Sequence, residues 1–169
     1  MDIFELPWGS PVQWREINET IDFMTDLYRT ELAEAMTLAR DAEKLLESLF
    51  PLMDELCAVA CPSCREPCCR VARLWFNFPD LLFLHLSGQN IAEGQPHKEF
   101  HLHCRYLGDC GCTLPRIERP WICTWYLCPP QTSLLRKKGK SVKNRVDQIF
   151  TQIKEKRKAM EDEFIRVIS

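Results

Sequence analysis

Cysteine is the residue type in this sequence whose number and spacing could do chemistry. Ten of the 169 residues are cysteines, and all ten lie between positions 57 and 128. They are Cys57, Cys61, Cys64, Cys68, Cys69, Cys104, Cys110, Cys112, Cys123 and Cys128. Clustered thiols can ligate a metal ion or an iron–sulfur cluster, pair as disulfides, or act as redox groups without metal.

The expected compartment favours metal ligation among these three chemistries. The first residues, M-D-I-F-E-L-P-W, contain no basic segment followed by an apolar stretch, so they predict no secretory signal. No run approaches the roughly 18 apolar residues that a membrane span needs. We therefore expect a cytoplasmic protein, and a reducing cytosol keeps thiols out of disulfides.

The first cysteine block is C-P-S-C-R-E-P-C-C, from Cys61 to Cys69. Two thiolates separated by two residues can hold one metal ion, because the intervening turn brings both sulfurs to the same side. Cys68 and Cys69 are neighbours and point in different directions. This pair is therefore predicted to serve two ions, or to supply one ligand and one packing position.

The second block runs from His103 to Pro129 and supplies Cys104, Cys110, Cys112, Cys123 and Cys128. Neither block alone completes an evident site, so we expect the two blocks to come together. The 34 residues between Cys69 and Cys104 would close the loop, and such a metal clip would add folding free energy directly.

The elements that must position these cysteines are predicted to be helices. We expect a mainly α fold with little or no β, in which long N-terminal and C-terminal amphipathic helices pack antiparallel and frame a compact cysteine-rich middle. The parts of this single domain (1–169) are an acidic helical arm (10–56), a metal-binding core (57–129) and a C-terminal helix (141–168). The composition, 46% hydrophobic and 27% charged, excludes disordered and fibrous classes.

Local signals place the helix boundaries. Ser10 with Gln13 predicts a capping box, and apolar residues at threes and fours continue to Leu56. Pro51 is expected to kink or restart this helix, and Ser141 to cap the last one. Residues 77–88 predict a short buried helix that begins at Asn77-Phe78-Pro79-Asp80 and ends near Gly88. Residues 100–104 predict a short strand before a turn at 108–109.

The charge distribution supports packing of the two arms. Residues 1–56 contain 13 acidic and 4 basic residues, a net charge of −9. Residues 136–169 contain 11 basic and 5 acidic residues, a net charge of +6. Opposite charge on packed helices attracts, although exposed pairs contribute only about 0.2–1 kcal/mol each.

The cysteine pattern resembles the YkgJ-like family of zinc- or iron-chelating cysteine-cluster proteins, over residues 61–129. Matching features are C-x-x-C followed closely by C-C, an acidic helix start (Asp80), Cys104 with Leu107, Gly111-Cys112, and Arg119-Pro120-Trp121-Ile122-Cys123. Thr124 and a longer stretch after Cys112 depart from the family pattern, and Cys57, Cys110 and Cys128 are additions to it. The predicted metal ligands are Cys61, Cys64, Cys68, Cys69, Cys104, Cys112, Cys123 and Cys128.

The function expected from these residues is cysteine-ligated binding of zinc or of a [4Fe–4S] cluster, in a structural, redox or electron-transfer role. Ten cysteines and four histidines do not decide between the metals. Cys57-x3-Cys61-x2-Cys64 matches the radical S-adenosylmethionine spacing, but a chain this short cannot supply the usual barrel. Trp121, Trp125 and Tyr126 are expected to shield the metal, and His85, His97, His101 and His103 to be structural or exposed.

Two alternatives from other functional classes remain open. Flagellin lysine N-methylases are similar in their cysteine cluster, which would imply an S-adenosylmethionine-dependent enzyme. No Gly-rich cofactor loop or hydrolase motif is present, and a non-enzymatic role is favoured. The other alternative is a zinc-stabilised module that binds a protein partner or a second copy through its helices. Nucleic acid is not expected, because the basic run 136–145 has no interleaved aromatic residues.

Overall fold

The computed structural model describes residues 6–62, 64–97, 103–109 and 111–169. Helix α1 spans Pro11–Leu27 and begins with the predicted capping box. The Ser10 hydroxyl accepts from the Gln13 backbone N–H, and the Gln13 side chain accepts from the Ser10 N–H, both at 3.2 Å. This reciprocal pair satisfies two amide donors that a helix start otherwise leaves without partners.

Helix α2 spans Ala33–Ala60 and continues through Pro51, so the prediction that Pro51 restarts the helix is wrong. The break between the first two helices instead lies at residues 28–32. A proline inside a helix removes one backbone hydrogen bond. Leu49 and Met53 on either side of it are both buried in the core, and this packing holds the helix together across the proline.

Helix α7 spans Lys140–Ile168 and packs along α2. It begins after Gly139, whose φ of 104° lies in the left-handed region that glycine adopts readily. Ser141 therefore lies in the first turn and does not cap the helix, contrary to prediction.

Two ion pairs show the direction of α7 relative to α2. Lys138, two residues before α7, pairs with Glu55, and Lys156 pairs with Asp41 at 2.9 Å. Glu55 lies near the end of α2, whereas Asp41 lies nearer its start. The later residue on the α7 side thus contacts the earlier residue of α2, so the two helices are antiparallel, as predicted.

Helix α4 spans Phe78–Ser87 and contacts α1, α2 and α7. It has the predicted start, a capping box between Asn77 and Asp80, and ends at Gly88, whose φ is 72°. Five of its apolar side chains are buried: Leu81, Leu82, Phe83, Leu84 and Leu86. We call α1, α2, α4 and α7 the helical frame, because their apolar faces form most of the core.

The remaining elements are short and lie between α2 and α7 in the chain. They are α3 (Cys68–Val71), β1 (Leu107–Gly108), β2 (Gly111–Cys112), a 3₁₀ turn (Arg116–Glu118), α5 (Ile122–Trp125) and α6 (Pro129–Lys137). The strands pair antiparallel, Leu107 with Cys112 and Gly108 with Gly111, around the predicted turn. The strand predicted at 100–104 falls largely on residues 100–102, which lie outside the described part of the chain.

The mainly helical fold class is confirmed. Within the described residues, the only sheet is this two-stranded hairpin, and the long helices from the two ends of the chain pack together. A membrane-spanning helix, one both long and apolar enough to cross a bilayer, was not found in the part of the chain described.

Candidate metal centre

The nine described cysteines are all free thiols, and they form two groups in the thiol region, the stretch from Cys57 to Cys128. Electrostatic interactions between the thiols define the members of each group. The surface thiol group contains Cys57, Cys61, Cys64, Cys68 and Cys128. The enclosed thiol group contains Cys69, Cys104, Cys112 and Cys123.

The surface thiol group begins on the last turns of α2. Cys57 and Cys61 are four residues apart, so they lie on one face of the helix. The pKa of the Cys61 thiol is raised to about 12, first because partial burial disfavours its thiolate. Like charge on Cys57, Cys128 and Cys68 raises it further.

The other members of the surface thiol group come from three further points in the chain. Cys64 lies in the turn after α2, where its backbone N–H donates to the Cys61 carbonyl at 3.1 Å. Cys68 is the first residue of α3, and Cys128 precedes the first residue of α6. Burial raises the pKa of the Cys68 thiol, and the like charges of Cys128, Cys64 and Cys57 add to the effect.

Cys57 receives two N–H donors from distant parts of the sequence. Arg116 Nη2 lies 3.3 Å from Cys57 Sγ, and Gln131 Nε2 lies 3.2 Å from the same sulfur. Gln131 also accepts from the Cys128 backbone N–H through Oε1, at 3.2 Å. The buried Gln131 side chain therefore joins two cysteines of the surface thiol group that are far apart in sequence.

Backbone contacts assemble the enclosed thiol group. The Cys104 N–H donates to the Cys69 carbonyl at 3.0 Å, which joins the two cysteine blocks directly. The Leu107 N–H then donates to the Cys104 carbonyl, and Leu107 pairs with Cys112 across the hairpin. Three of the four thiols are thus positioned by hydrogen bonds of the main chain.

Cys123 on α5 completes the enclosed thiol group. Burial raises the pKa of its thiol, and the like charges of Cys69, Cys112 and Cys104 raise it further, with a smaller effect of Asp80. The pKa of Cys69 is raised to about 11, first by burial and then by Cys104, Cys112 and the neighbouring Cys68. Proximity of other thiols therefore disfavours the thiolate forms of Cys69 and Cys123.

A buried ion pair positions α5 relative to the helical frame. Asp80 Oδ1 accepts from Arg157 Nη2 at 2.5 Å and from the Trp121 backbone N–H at 2.9 Å. Both charged side chains are buried, and the Arg157 guanidinium lies over the rings of Phe83 and Trp121. The acidic helix start thus joins α4, α7 and the start of α5, two residues before Cys123.

The two thiol groups fit a thiophilic metal by donor type, since thiolate sulfur is the ligand that zinc and iron–sulfur clusters prefer. Four or more thiols per group match the ligand number of such sites. Within the described residues, however, no three Cys, His, Asp or Glu side chains are close enough to hold one metal ion. Binding would have to draw the sulfurs of each group closer together.

The eight predicted ligands are distributed over these two groups, and their role as metal ligands stays a prediction. Cys68 and Cys69 interact mainly with different sets of thiols, although Cys68 also contributes to the raised pKa of Cys69. Cys57 was not among the predicted ligands, yet the structure places its sulfur in the surface thiol group. Its four-residue spacing from Cys61 on one helix is the sequence signal that could have included it. Cys110 lies outside the described residues.

The described histidines lie in structural or exposed positions, as expected, whereas two of the three aromatic residues expected to shield a metal are largely exposed. His85 contacts Asp22 at 2.6 Å and Asn18 at 2.8 Å, and it tethers α4 to α1. His103 is exposed and His97 is buried, while His101 lies outside the described residues. Trp121 packs against Phe150, but Trp125 and Tyr126 are 45% and 48% exposed and cover little.

No protein-family model matches this chain, no curated protein is significantly similar to it, and no solved structure matches its fold.

Proposed function

We propose that this protein binds metal through cysteine thiolates, with a structural, redox or electron-transfer role. The observation that carries the proposal is the partition of nine free thiols into two groups, each assembled from separate segments of the chain. A random distribution of cysteines over a folded chain gives no reason for the first and the second cysteine block to contribute sulfur to the same groups. Metal ligation gives that reason, because one ion requires several thiolates together.

The raised pKa values of the thiols support a cation as the ligand of these groups. Burial and like charge raise the pKa of five of the described thiols, so crowded thiolates are costly in the protein alone. A bound cation reverses this cost, because it favours the charged form of every sulfur around it. A bound metal ion would supply positive charge and positions for thiolate ligands. The chain would supply the sulfur ligands, the N–H groups that donate to sulfur, and the core that surrounds them.

The location of the groups favours a structural contribution. The elements they connect are α2, α3, the hairpin, α5 and α6, and several of these are too short to be stable alone. Thiolates that share an ion would tie these segments together, and the free energy of metal binding would become folding free energy.

The direct test is metal analysis of the full chain. We expect protein purified without oxygen to contain zinc, or iron with acid-labile sulfide, at a fixed ratio to the chain. Cys104→Ser should lower that ratio, because it removes a thiol from the enclosed group. Thr113→Ser, in the same hairpin, keeps the hydroxyl that donates to the Tyr106 carbonyl and should keep the ratio of the parent protein.

A chain that folds fully while holding neither zinc nor iron under these conditions would overturn the proposal. The enzyme alternative predicts a different result, namely thermal stabilisation by S-adenosylmethionine that depends on its concentration. The same purified protein serves for both measurements.

A further inference from the structure

A groove lies where α7, α5 and the start of α4 meet. Its volume is about 530 Å³, within the range of about 300–1,000 Å³ that is typical of ligand sites in proteins. The aromatic rings of Trp121, Trp125 and Phe150 line it together with the proline ring of Pro79. None of the described cysteines is among its lining residues, so an occupant would bind independently of the thiols.

Helix α7 forms the longest wall of this groove. The lining residues of α7 recur at threes and fours along one face of the helix: Phe150, Thr151, Lys154, Arg157, Lys158 and Glu161. At 1.5 Å per residue, the wall from Phe150 to Glu161 is about 16 Å long. An extended chain of about five residues has the same length, so the groove suits a short peptide segment.

The aromatic surface of the groove is incompletely covered. Trp121 and Phe150 are half-buried and pack edge to face, with ring centroids 5.8 Å apart. Trp125 is 45% exposed although it lines a concave surface. Exposed apolar surface in a concavity is typical of interaction sites, and a tryptophan contributes a large contact area when it becomes buried.

The charged side chains of the groove favour a negatively charged occupant. Lys154 and Lys158 are exposed and lie one turn apart on α7. The Arg157 guanidinium is already paired with the Asp80 carboxylate. Lys158 pairs with Asp162 on its own helix, and an exposed pair of this kind is weak enough to rearrange. Carboxylates of an occupant would therefore find two lysines beside the aromatic rings.

We infer that this groove is a docking site for an acidic peptide segment of a partner protein. A large apolar side chain of the segment would pack against Trp125, and its carboxylates would lie beside Lys154 and Lys158. The inference goes beyond the proposed function, because it does not require that the thiols bind metal.

A single-stranded nucleic acid also combines stacking on aromatic rings with lysine contacts. The groove favours the peptide for two reasons. The Arg157 guanidinium lies over the Trp121 ring, 5.8 Å from its centroid, and occupies a face on which a base would stack. Glu161 lines one end of the groove and would repel phosphate.

The test measures binding of synthetic peptides to the full chain, purified without oxygen, by isothermal titration calorimetry. Each peptide has glutamates on both sides of one central residue, which is phenylalanine, tryptophan, leucine or alanine. We expect saturable binding of the three peptides with a large apolar residue. The alanine peptide should bind about 10–100-fold more weakly, because it cannot bury that side chain.

A variant of the protein tests the aromatic contact. Trp125→Ala removes the exposed ring and should lower the affinity for the phenylalanine peptide by about 10–100-fold. Phe23→Ala is the matched control, because Phe23 is 62% exposed on α1 and does not line the groove. This control should bind the peptide as tightly as the parent protein does.

A charge reversal tests the lysine contact. Lys154→Glu should lower the affinity by about 3–10-fold. Lys140→Glu makes the same change at an exposed position, the first residue of α7. Lys140 lies about 21 Å along the helix from Lys154, beyond the range of unscreened charge at physiological salt, so this variant should keep the parent affinity.

Equal affinity for the phenylalanine and alanine peptides would overturn the inference, and so would an unchanged affinity in Trp125→Ala or in Lys154→Glu. Tighter binding of an oligothymidine than of any peptide would identify nucleic acid as the occupant instead. Absence of binding by every peptide up to about 1 mM would also overturn it. Metal analysis of the same preparation tests the proposed function separately, so the two failures are distinguishable.

Discussion

The helical frame and the thiol region are stabilised by different means. The frame is built from α1, α2, α4 and α7, whose apolar side chains fill the core. Apart from α4 and the end of α2, which belong to the frame, the thiol region has elements of two to four residues, and individual hydrogen bonds such as that between Cys104 and Cys69 join its segments. Burial of apolar surface is therefore the main source of stability in the frame, whereas shared metal ions would add links between the short segments of the thiol region.

The largest effect is expected where the two regions meet. Arg157→Met leaves the Asp80 carboxylate buried without its cation, which should cost about 3–5 kcal/mol of unfolding free energy. Chemical denaturation measures this loss. The double variant Asp80→Asn/Arg157→Met should recover part of the stability, since it removes both charges.

The matched control for this prediction is Lys158→Met. Lys158 is the next residue on α7, and it is exposed and pairs with Asp162. This variant should remain close to the parent protein. Equal loss of stability in Arg157→Met and Lys158→Met would contradict a special role for the buried pair.

A substitution inside the frame tests whether the regions can be separated. Ile153 on α7 is completely buried, so Ile153→Ala should destabilise the fold by about 2–5 kcal/mol through lost burial and a cavity. Ile153 belongs to the helical frame and to neither thiol group, so the ratio of metal to folded protein should be unchanged. Ile165→Ala, at a position 43% exposed, should stay within about 0.5 kcal/mol of the parent protein.

The smallest effect is expected from pH in the reduced protein freed of metal by a chelator. Thiols whose pKa is raised on folding stabilise the folded protein at pH values below the ordinary thiol pKa of 9.0. The unfolded chain ionises first as the pH rises, so stability should fall from about pH 9 through the values of Cys69, about 11, and Cys61, about 12. Denaturation midpoints measured across this range check the slope, which Cys69→Ala should make shallower. A midpoint that rises over the same range would contradict the assigned direction.

The frame was largely predictable because its signals are local. Ser10 with Gln13 and Asn77 with Asp80 form the expected caps, and the apolar periodicity predicted the long helices and their pairing. The restart predicted at Pro51 was wrong because the destabilisation by a proline is a local effect, whereas burial of Leu49 and Met53 depends on the partner helix. Ser141 was misjudged because the preceding glycine already supplied the turn.

The arrangement of the thiol region was less predictable, and the ligand role of its cysteines stays a prediction. Adjacent side chains diverge, so different surroundings for Cys68 and Cys69 were expected, but the sequence left open whether both serve as ligands. The contact of Gln131 with Cys57 spans 74 residues, and the pairing of Arg157 with Asp80 spans 77. No spacing rule indicates such contacts, because they arise only when the frame has brought the segments together.

The position of Cys68 and Cys69 on either side of one peptide bond has a thermodynamic consequence. Any ligand that fixes the backbone at one of these residues restricts the other, so occupancy of one group would alter the entropy cost of filling its neighbour. Such coupling is reciprocal by linkage. Ligand binding at either group would therefore change the affinity of the other group for its ligand by the same factor, and the peptide bond between Cys68 and Cys69 would transmit the effect.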